Sequence, residues 1–208
     1  MFTGITRGLY GVTRVERAAD LLTFEVDLGE TLSLGLEVGA SVLIDGVCQT
    51  VVRTAGERAT FQAIQETLAR TTLGDLEEGA LVSVERSARV GDEIGGHDVS
   101  GHVTGTGEIA GARHEGDVCD LTIRVSPSWM KYVLFKGFIA VDGSSLTVGA
   151  RSDDGTFAVH LIPETLRVTG LGAKSPGDRV NIELDPKTVA IVETVERVLT
   201  QREAGGSG

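Results

Sequence analysis

The sequence predicts an all-β protein in which two small antiparallel barrels follow one another and a single helix ends the chain. Three observations predict this architecture: an internal repeat, short β-branched runs separated by turn residues, and 28 glycines against only 4% aromatic residues. A chain of 208 residues is long enough for two compact halves, and its glycines suit the tight turns of a β-rich fold.

The internal repeat is the strongest of these observations because its segments recur in the same order. Two copies of one structural unit are the expected cause. We therefore place the N-terminal barrel at 1–97 and the C-terminal barrel at 98–186. The recurring pairs, 97 or 98 residues apart, are 44–51 (IDGVCQTV) with 141–148 (VDGSSLTV), 65–74 with 163–172, 82–85 with 180–183, and Thr3-Gly4 with Ser100-Gly101.

Short strands account for most of each half. The run 40–44 ends at the turn dipeptide Asp45-Gly46, and the alternating run 157–162 ends at Pro163. Several such strands in fewer than 100 residues, without long helical periods between them, favour a small closed or nearly closed barrel.

Two helices are predicted outside the repeat. Asp185-Pro186 offers an N-cap and a proline in the first turn of a helix at 187–203, and we expect 204–208 to be disordered. The helix has an apolar stripe that packs either on its own barrels or on other subunits. A shorter helix is predicted from Ser126-Pro127 to Gly137. The stripe consists of Val189, Val192, Val195 and Leu199.

Composition excludes several classes of partner. A net charge of -11 and a pI near 4.8 disfavour nucleic acid and anionic membranes. No apolar run is long enough to span a bilayer and the N-terminus lacks a secretion signal, so a cytoplasmic location is expected. Cys48 and Cys119 are expected to be free thiols, and no metal site is predicted.

One face of the repeated strand is polar in both halves. Side chains two residues apart share a face of a strand, so Cys48 lies beside Thr50, and Ser145 lies beside Thr147 in the second copy. The opposite face is mainly apolar and suits a barrel interior. The pattern indicates two similar polar pockets, although small polar residues also simply fit a half-buried strand.

Two histidines at the junction of the halves have no counterpart in the repeat. His97 and His102 lie in the glycine-rich stretch 95–102 and are candidates for acid or base chemistry. The alternative is that turn backbone satisfies both imidazoles. His160, on an alternating strand, is assigned a structural role.

These residues together resemble the riboflavin synthase family over nearly the whole chain. The resemblance implies two six-stranded Greek-key barrels, each binding one lumazine, and a homotrimer joined through its C-terminal helices. The motifs that carry it are Met1–Ile5, 45–51, Glu66-Thr67-Leu68, Gly95-Gly96-His97, Ser100-Gly101-His102, Lys136-Gly137, 142–148 and the end of the chain from Val180 to Leu199.

The resemblance also implies a reaction. Two molecules of 6,7-dimethyl-8-ribityllumazine exchange a four-carbon unit, giving riboflavin and 5-amino-6-(ribitylamino)uracil without a metal or other cofactor. An acidic 7-methyl group requires close positioning and proton transfer. Association with a separate lumazine synthase is left open.

The resemblance assigns roles to individual residues, with His102 as the expected base and Phe2 as part of a cap over the site. The catalytic candidates are Phe2, Cys48, His102, Lys136, Ser145 and Asp185. The substrate-binding candidates are Gly4, Ser41, Cys48, Thr50, Glu66, Thr67, His97, Gly101, Lys136, Ser145, Thr147, Ile162 and Thr165.

Three positions depart from the family pattern, which favours leucine at Gln49, an apolar residue at Ser144 and threonine at Gly170. Gln49 lies on the predicted barrel interior, where an unpaired amide costs about 1 to 3 kcal/mol.

The main alternative function is a non-catalytic lumazine-binding protein of the same fold. Retention of Ser145 and of both junction histidines favours the enzyme, while acidity disfavours an oligonucleotide-binding barrel.

Overall fold

The computed structural model describes residues 1–205 and contains two closed six-stranded antiparallel barrels followed by a helix. This confirms the predicted fold class. The strands of the N-terminal barrel are β1 (Gly8–Arg17), β2 (Leu21–Asp27), β3 (Ser41–Ile44), β4 (Val47–Ala55), β5 (Arg58–Ile64) and β6 (Leu81–Arg86). Those of the C-terminal barrel are β7 (Gly105–Glu115), β8 (Val118–Arg124), β9 (Phe138–Val141), β10 (Ser144–Ser152), β11 (Thr156–Leu161) and β12 (Arg179–Leu184).

The two barrels share one Greek-key strand order. The first closes as β1-β2-β5-β4-β3-β6, and the second repeats that order as β7-β8-β11-β10-β9-β12. Each barrel encloses its own apolar core, and Phe24 and Phe61 meet in the first core with ring centroids 5.4 Å apart. The duplication seen in the sequence is therefore a duplication of the entire unit.

Short helices follow the same repeat. The helices α2 (Gln65–Arg70) and α3 (Pro163–Val168) occupy equivalent places, and a 3-10 turn follows each, at Thr72–Asp75 and Gly170–Ala173. In contrast, α1 (Gly29–Ser33) corresponds to a 3-10 turn at Pro127–Trp129.

The helix predicted from Ser126-Pro127 to Gly137 is wrong beyond that 3-10 turn. Lys136 adopts a left-handed φ of 63°, and its N–H donates to the carbonyl of Val148 at 2.9 Å. Because this segment bonds to β10, its backbone cannot continue a helix.

The C-terminal helix α4 spans Pro186–Gly205, so Ala204 and Gly205, expected in the tail, belong to it. The rest of that tail, 206–208, lies outside the described residues. Only the first part of the apolar stripe is covered, since Val189 packs on the second core whereas Val195 and Leu199 are each 52% exposed. Within residues 1–205 no helix has the length and apolarity to cross a bilayer.

The barrels meet through two equivalent turns. Asp45-Gly46 joins β3 to β4, Asp142-Gly143 joins β9 to β10, and the two glycines are so close that a Cβ on Gly46 would lie 2.4 Å from the nitrogen of Gly143. The carboxylates accept the N–H groups of Ser83 and Asn181, both at 2.7 Å. Two carboxylates are thus held at the barrel interface.

Candidate active site

Two short segments cross between the barrels and form the base of each candidate pocket. We call residues 1–7 the N-terminal arm and residues 98–104 the linker arm. The N–H of Ser145 donates to the carbonyl of Gly4 at 2.8 Å, and the N–H of Cys48 donates to that of Gly101 at 3.0 Å. Each arm therefore binds the polar strand of the other half, and Phe2 pairs with Val99 between them.

Only glycine fits at Gly4 and Gly101. Their φ angles are 74° and 79°, which side chains disfavour. A Cβ on Gly4 would lie 2.5 Å from the Cβ of Ser145, and one on Gly101 would lie 2.6 Å from the Cβ of Cys48. Both arms can approach the strand closely because they lack a side chain there.

A buried glutamate fixes each arm. Glu85 accepts three hydrogen bonds, from the N–H and Oγ1 of Thr3 and the N–H of Gly4, at 2.7 to 3.0 Å. Glu183 accepts the same set from Ser100 and Gly101, at 2.7 to 2.9 Å. Burial raises the pKa of Glu85, an effect that these hydrogen bonds oppose.

Sequence reasoning missed both glutamates. Glu85 and Glu183 end the repeated segments 82–85 and 180–183, and the arms they hold repeat with nearly the same spacing. That shared spacing is the signal that could have paired them.

A cleft of about 200 Å³ opens at the mouth of the C-terminal barrel beside Ser145. It contains the expected binding residues Gly4, Ile162 and Thr165. The Oγ of Ser145 lies 2.6 Å from Nδ1 of His97. The structure therefore brings a hydroxyl and an imidazole together at one end of the cleft.

His97 is held in an apolar setting. Its side chain is only 7% exposed, it stacks on Phe138 with ring centroids 5.1 Å apart, and its Nε2 has no hydrogen-bond partner among residues 1–205. Burial lowers the pKa of His97, against the opposing effect of Asp185 and Glu183. A neutral imidazole at pH 7 can accept the hydroxyl proton of Ser145.

The equivalent place in the N-terminal barrel carries the thiol of Cys48, which has no hydrogen bond to an imidazole within residues 1–205. As predicted, Val47 and Val51 point into the barrel, while Cys48 is half-buried and Thr50 is exposed on the other face. Ser41 pairs with Thr50 in register. His102, the expected base, lies on the linker arm with an exposed side chain.

Four other expected residues lie around these pockets. Thr67 lies in α2 at the place that corresponds to Thr165 in α3, and both are half-buried. Thr147 is exposed on the same strand face as Ser145. Glu66 is exposed and forms an ion pair with Arg70 at 3.3 Å.

The expected catalytic residues Phe2, Lys136 and Asp185 are also not among the residues that line the cleft. Phe2 is 1% exposed, in a small apolar cluster between the barrels. The ammonium of Lys136 lies over the ring of Phe135, 5.7 Å from its centroid. Asp185 caps α4 by accepting the N–H and Oγ1 of Thr188, at 3.0 and 2.6 Å.

This architecture and its sequence match a known protein family. The family model described as "Lumazine binding domain" matches residues 3–87 and again residues 100–185. A protein named riboflavin synthase from Escherichia coli strain K12 is 48% identical over 98% of this chain and 95% of its own length. Another of that name, from Chlamydia pneumoniae, is 42% identical over 96% of this chain and 97% of its own.

A solved structure titled "Crystal structure of LumP complexed with riboflavin" has the same fold. It superimposes with a TM-score of 0.82 at 24% identity and covers 89% of this chain and 100% of its own. The duplicated barrels, the two matches of the domain model and the full-length identities agree. The chain belongs to the riboflavin synthase family of lumazine-binding proteins.

Proposed function

We propose that this chain is a riboflavin synthase that converts two molecules of 6,7-dimethyl-8-ribityllumazine into one riboflavin and one 5-amino-6-(ribitylamino)uracil. The observation that carries the proposal is the pairing of Ser145 with His97 beside a cleft, on a scaffold that occurs twice. Two similar pockets suit two identical substrates, and the halves 1–97 and 98–186 each bind one.

The residues divide between the two pockets. Gly4, Ser145, Thr147, Ile162 and Thr165 hold one lumazine at the C-terminal barrel. The second lumazine lies at the N-terminal barrel, against the residues Ser41, Cys48, Thr50, Glu66, Thr67 and Gly101. Half-buried hydroxyls and backbone amides at these positions match a ligand that carries ring carbonyls and a polyol chain.

Proton transfer is the chemistry that the protein must supply. Removal of a proton from the 7-methyl group creates the carbanion that attacks the other ring. One lumazine then gives up its four-carbon unit to the other and leaves as the uracil, so the two products together contain all the atoms and electrons of two substrates and no external oxidant is needed. A neutral His97 polarises the hydroxyl of Ser145, which makes that oxygen a better proton acceptor. His102 is the proposed base, with Phe2, Lys136 and Asp185 assisting from the edges.

A homotrimer in the cytoplasm completes the proposal, with the N-terminal barrel of one subunit facing the C-terminal barrel of another. The exposed apolar side chains Ile191, Val195 and Leu199 of α4 support a helix that packs on neighbouring subunits. In this arrangement His102 and Lys136, whose side chains are exposed, face a second chain.

The test is direct. Purified protein is mixed with 6,7-dimethyl-8-ribityllumazine without added metal or cofactor, and products are separated by chromatography. Riboflavin and the uracil in equal amounts are the expected result. Tight binding of lumazine without product would overturn the enzyme and leave a binding protein, the function suggested by the LumP complexes with riboflavin and with the lumazine.

A further inference from the structure

A pair of buried hydroxyls lies in the cleft of the C-terminal barrel. The Oγ1 of Thr6, on the N-terminal arm, is 3.0 Å from the Oγ of Ser144, the first residue of β10. The two side chains are only 8% and 4% exposed, and both residues line the cleft together with Ser145.

The N-terminal barrel has no such pair. The residues equivalent to Thr6 and Ser144 are Val103 and Val47, which contribute to the apolar core of that barrel. The N-terminal arm therefore brings a hydroxyl to the second barrel, whereas the linker arm brings an apolar side chain to the core of the first. The difference involves Ser144, one of the positions that depart from the family pattern.

The hydroxyl pair has an unused hydrogen-bonding group. When one hydroxyl donates to the other, the second O–H still needs an acceptor, and neither Oγ makes another hydrogen bond within residues 1–205. A buried donor without a partner destabilises the folded chain. Its position on the cleft lining makes a bound ligand the natural acceptor.

We propose that Thr6 and Ser144 form a further ligand-contacting pair that donates one hydrogen bond to an oxygen or nitrogen of the lumazine in the C-terminal barrel. The valines of the N-terminal barrel offer no such donor. The pair therefore makes the C-terminal pocket the tighter of the two. This inference rests on the proposed function, because it assumes that flavin-like ligands occupy both pockets.

The hydroxyls can substitute for one another, which gives the proposal a specific signature. In Thr6→Val the hydroxyl of Ser144 still donates to the ligand, and in Ser144→Ala that of Thr6 does so. Only the double variant Thr6→Val/Ser144→Val removes the donor and reproduces the valines of the other barrel. A merely structural pair would instead lose thermal stability in each single variant without a change in ligand affinity.

The experiment is a titration of the full chain with riboflavin, followed by quenching of flavin fluorescence and fitted to two classes of site. One neutral hydrogen bond corresponds to about 3- to 10-fold in affinity. We expect the double variant to weaken the tighter class by that factor and to leave the weaker class unchanged. Each single variant should shift the tighter class less than 2-fold, that is by under about 0.4 kcal/mol.

A converse variant covers the case in which the double variant fails to fold. Val47→Ser/Val103→Thr introduces the hydroxyl pair into the N-terminal barrel. The riboflavin affinity of the weaker class of site should then rise toward that of the tighter class. Wild-type affinity at both classes in the double variant would overturn the inference and leave the proposed function intact. Absence of riboflavin binding by the wild-type chain would overturn both.

Discussion

The two barrels of this chain have the same strands in the same order, yet their mouths differ in chemistry. Each arm contains a glycine whose carbonyl accepts a hydrogen bond from the polar strand, and a buried glutamate holds each arm. Beside that shared frame, the second barrel has Ser145 with His97, whereas the first has Cys48 without an imidazole. Duplication gave both barrels the same frame, and His97, which lies outside the repeat, adds an imidazole beside the hydroxyl of Ser145 in the second barrel.

The largest expected effect is on turnover and comes from changing His97 or Ser145, which are paired at the second barrel. In His97→Gln the amide can still bond to Ser145 but is a far weaker base than an imidazole and polarises the hydroxyl less, so turnover of the lumazine should fall about 100-fold or more. Turnover by Ser145→Ala should fall by a similar factor. The measurement is the rate of riboflavin formation at saturating substrate.

The matched change in the other barrel is Cys48→Ala. Because Cys48 has no imidazole partner, its loss should lower turnover less than 10-fold and act mainly on KM. Equal losses of turnover in Cys48→Ala and Ser145→Ala would contradict the difference drawn between the barrels.

The next largest effect is expected from Glu85 and Glu183, the buried glutamates that occupy equivalent places in the two barrels. Removing the carboxylate in Glu85→Ala leaves the N–H groups of Thr3 and Gly4 without their charged acceptor, which should lower the free energy of unfolding by about 3 kcal/mol. Glu183→Ala should cost the same, since Ser100 and Gly101 bind it in the same way. Urea unfolding of both variants measures this, and a clear inequality would show that the two arms are not energetically equivalent.

The sequence predicted what local pattern and duplication determine. The repeat predicted two copies of one barrel, and strand alternation correctly placed Cys48 and Ser145 outward with Val51 and Val148 inward. These properties depend on residues close together in the chain or on comparison of one half with the other.

Long-range contacts were not predictable in that way. The crossing of the arms depends on bonds such as Ser145 to Gly4, between residues far apart in sequence, and no local pattern encodes it. Both His97 and His102 were candidates for acid or base chemistry, with His102 expected to be the base, but only the fold could show that His97 lies beside Ser145. The helix expected after Ser126 failed because backbone pairing with β10 outweighs local helical spacing.

The interface between the barrels predicts a pH dependence. Burial, with the nearby Asp142 carboxylate, raises the pKa of Asp45 to about 7, and burial raises that of Asp142 to about 6, against the ammonium of Lys174 at 3.9 Å. The folded chain thus holds protons that the unfolded chain releases near pH 4. The stabilisation is complete below pH 4 and is lost as the pH rises through about 6 to 7.

We therefore expect the free energy of unfolding to fall by on the order of 1 to 2 kcal/mol between pH 5 and pH 8. Asp45→Asn keeps an acceptor for the N–H of Ser83 and removes the charge, so it should flatten that fall. Asp75→Asn, on an exposed residue of the N-terminal barrel, is the control. An unchanged pH profile in Asp45→Asn would exclude this carboxylate pair as the cause.

The smallest expected effect tests an asymmetry inside the barrels. Gln49 is 5% exposed, its Nε2 donates to the carbonyl of Cys48 at 3.0 Å, and its Oε1 has no partner in the part of the chain that the structure describes. The equivalent residue of the second barrel is Leu146, which is apolar and packs in the core. An unpaired buried oxygen is a cost that the second barrel does not carry.

Gln49→Leu should therefore raise the free energy of unfolding by about 1 kcal/mol, measured by urea unfolding at pH 6. The converse variant Leu146→Gln should lower it by more, because it also sacrifices apolar contacts that the core of the second barrel already makes. If Gln49→Leu is neutral or destabilising, Oε1 is satisfied in solution by a buried water. The two interiors would then be equivalent in energy despite their different residues, and the asymmetry between the barrels would be confined to their mouths.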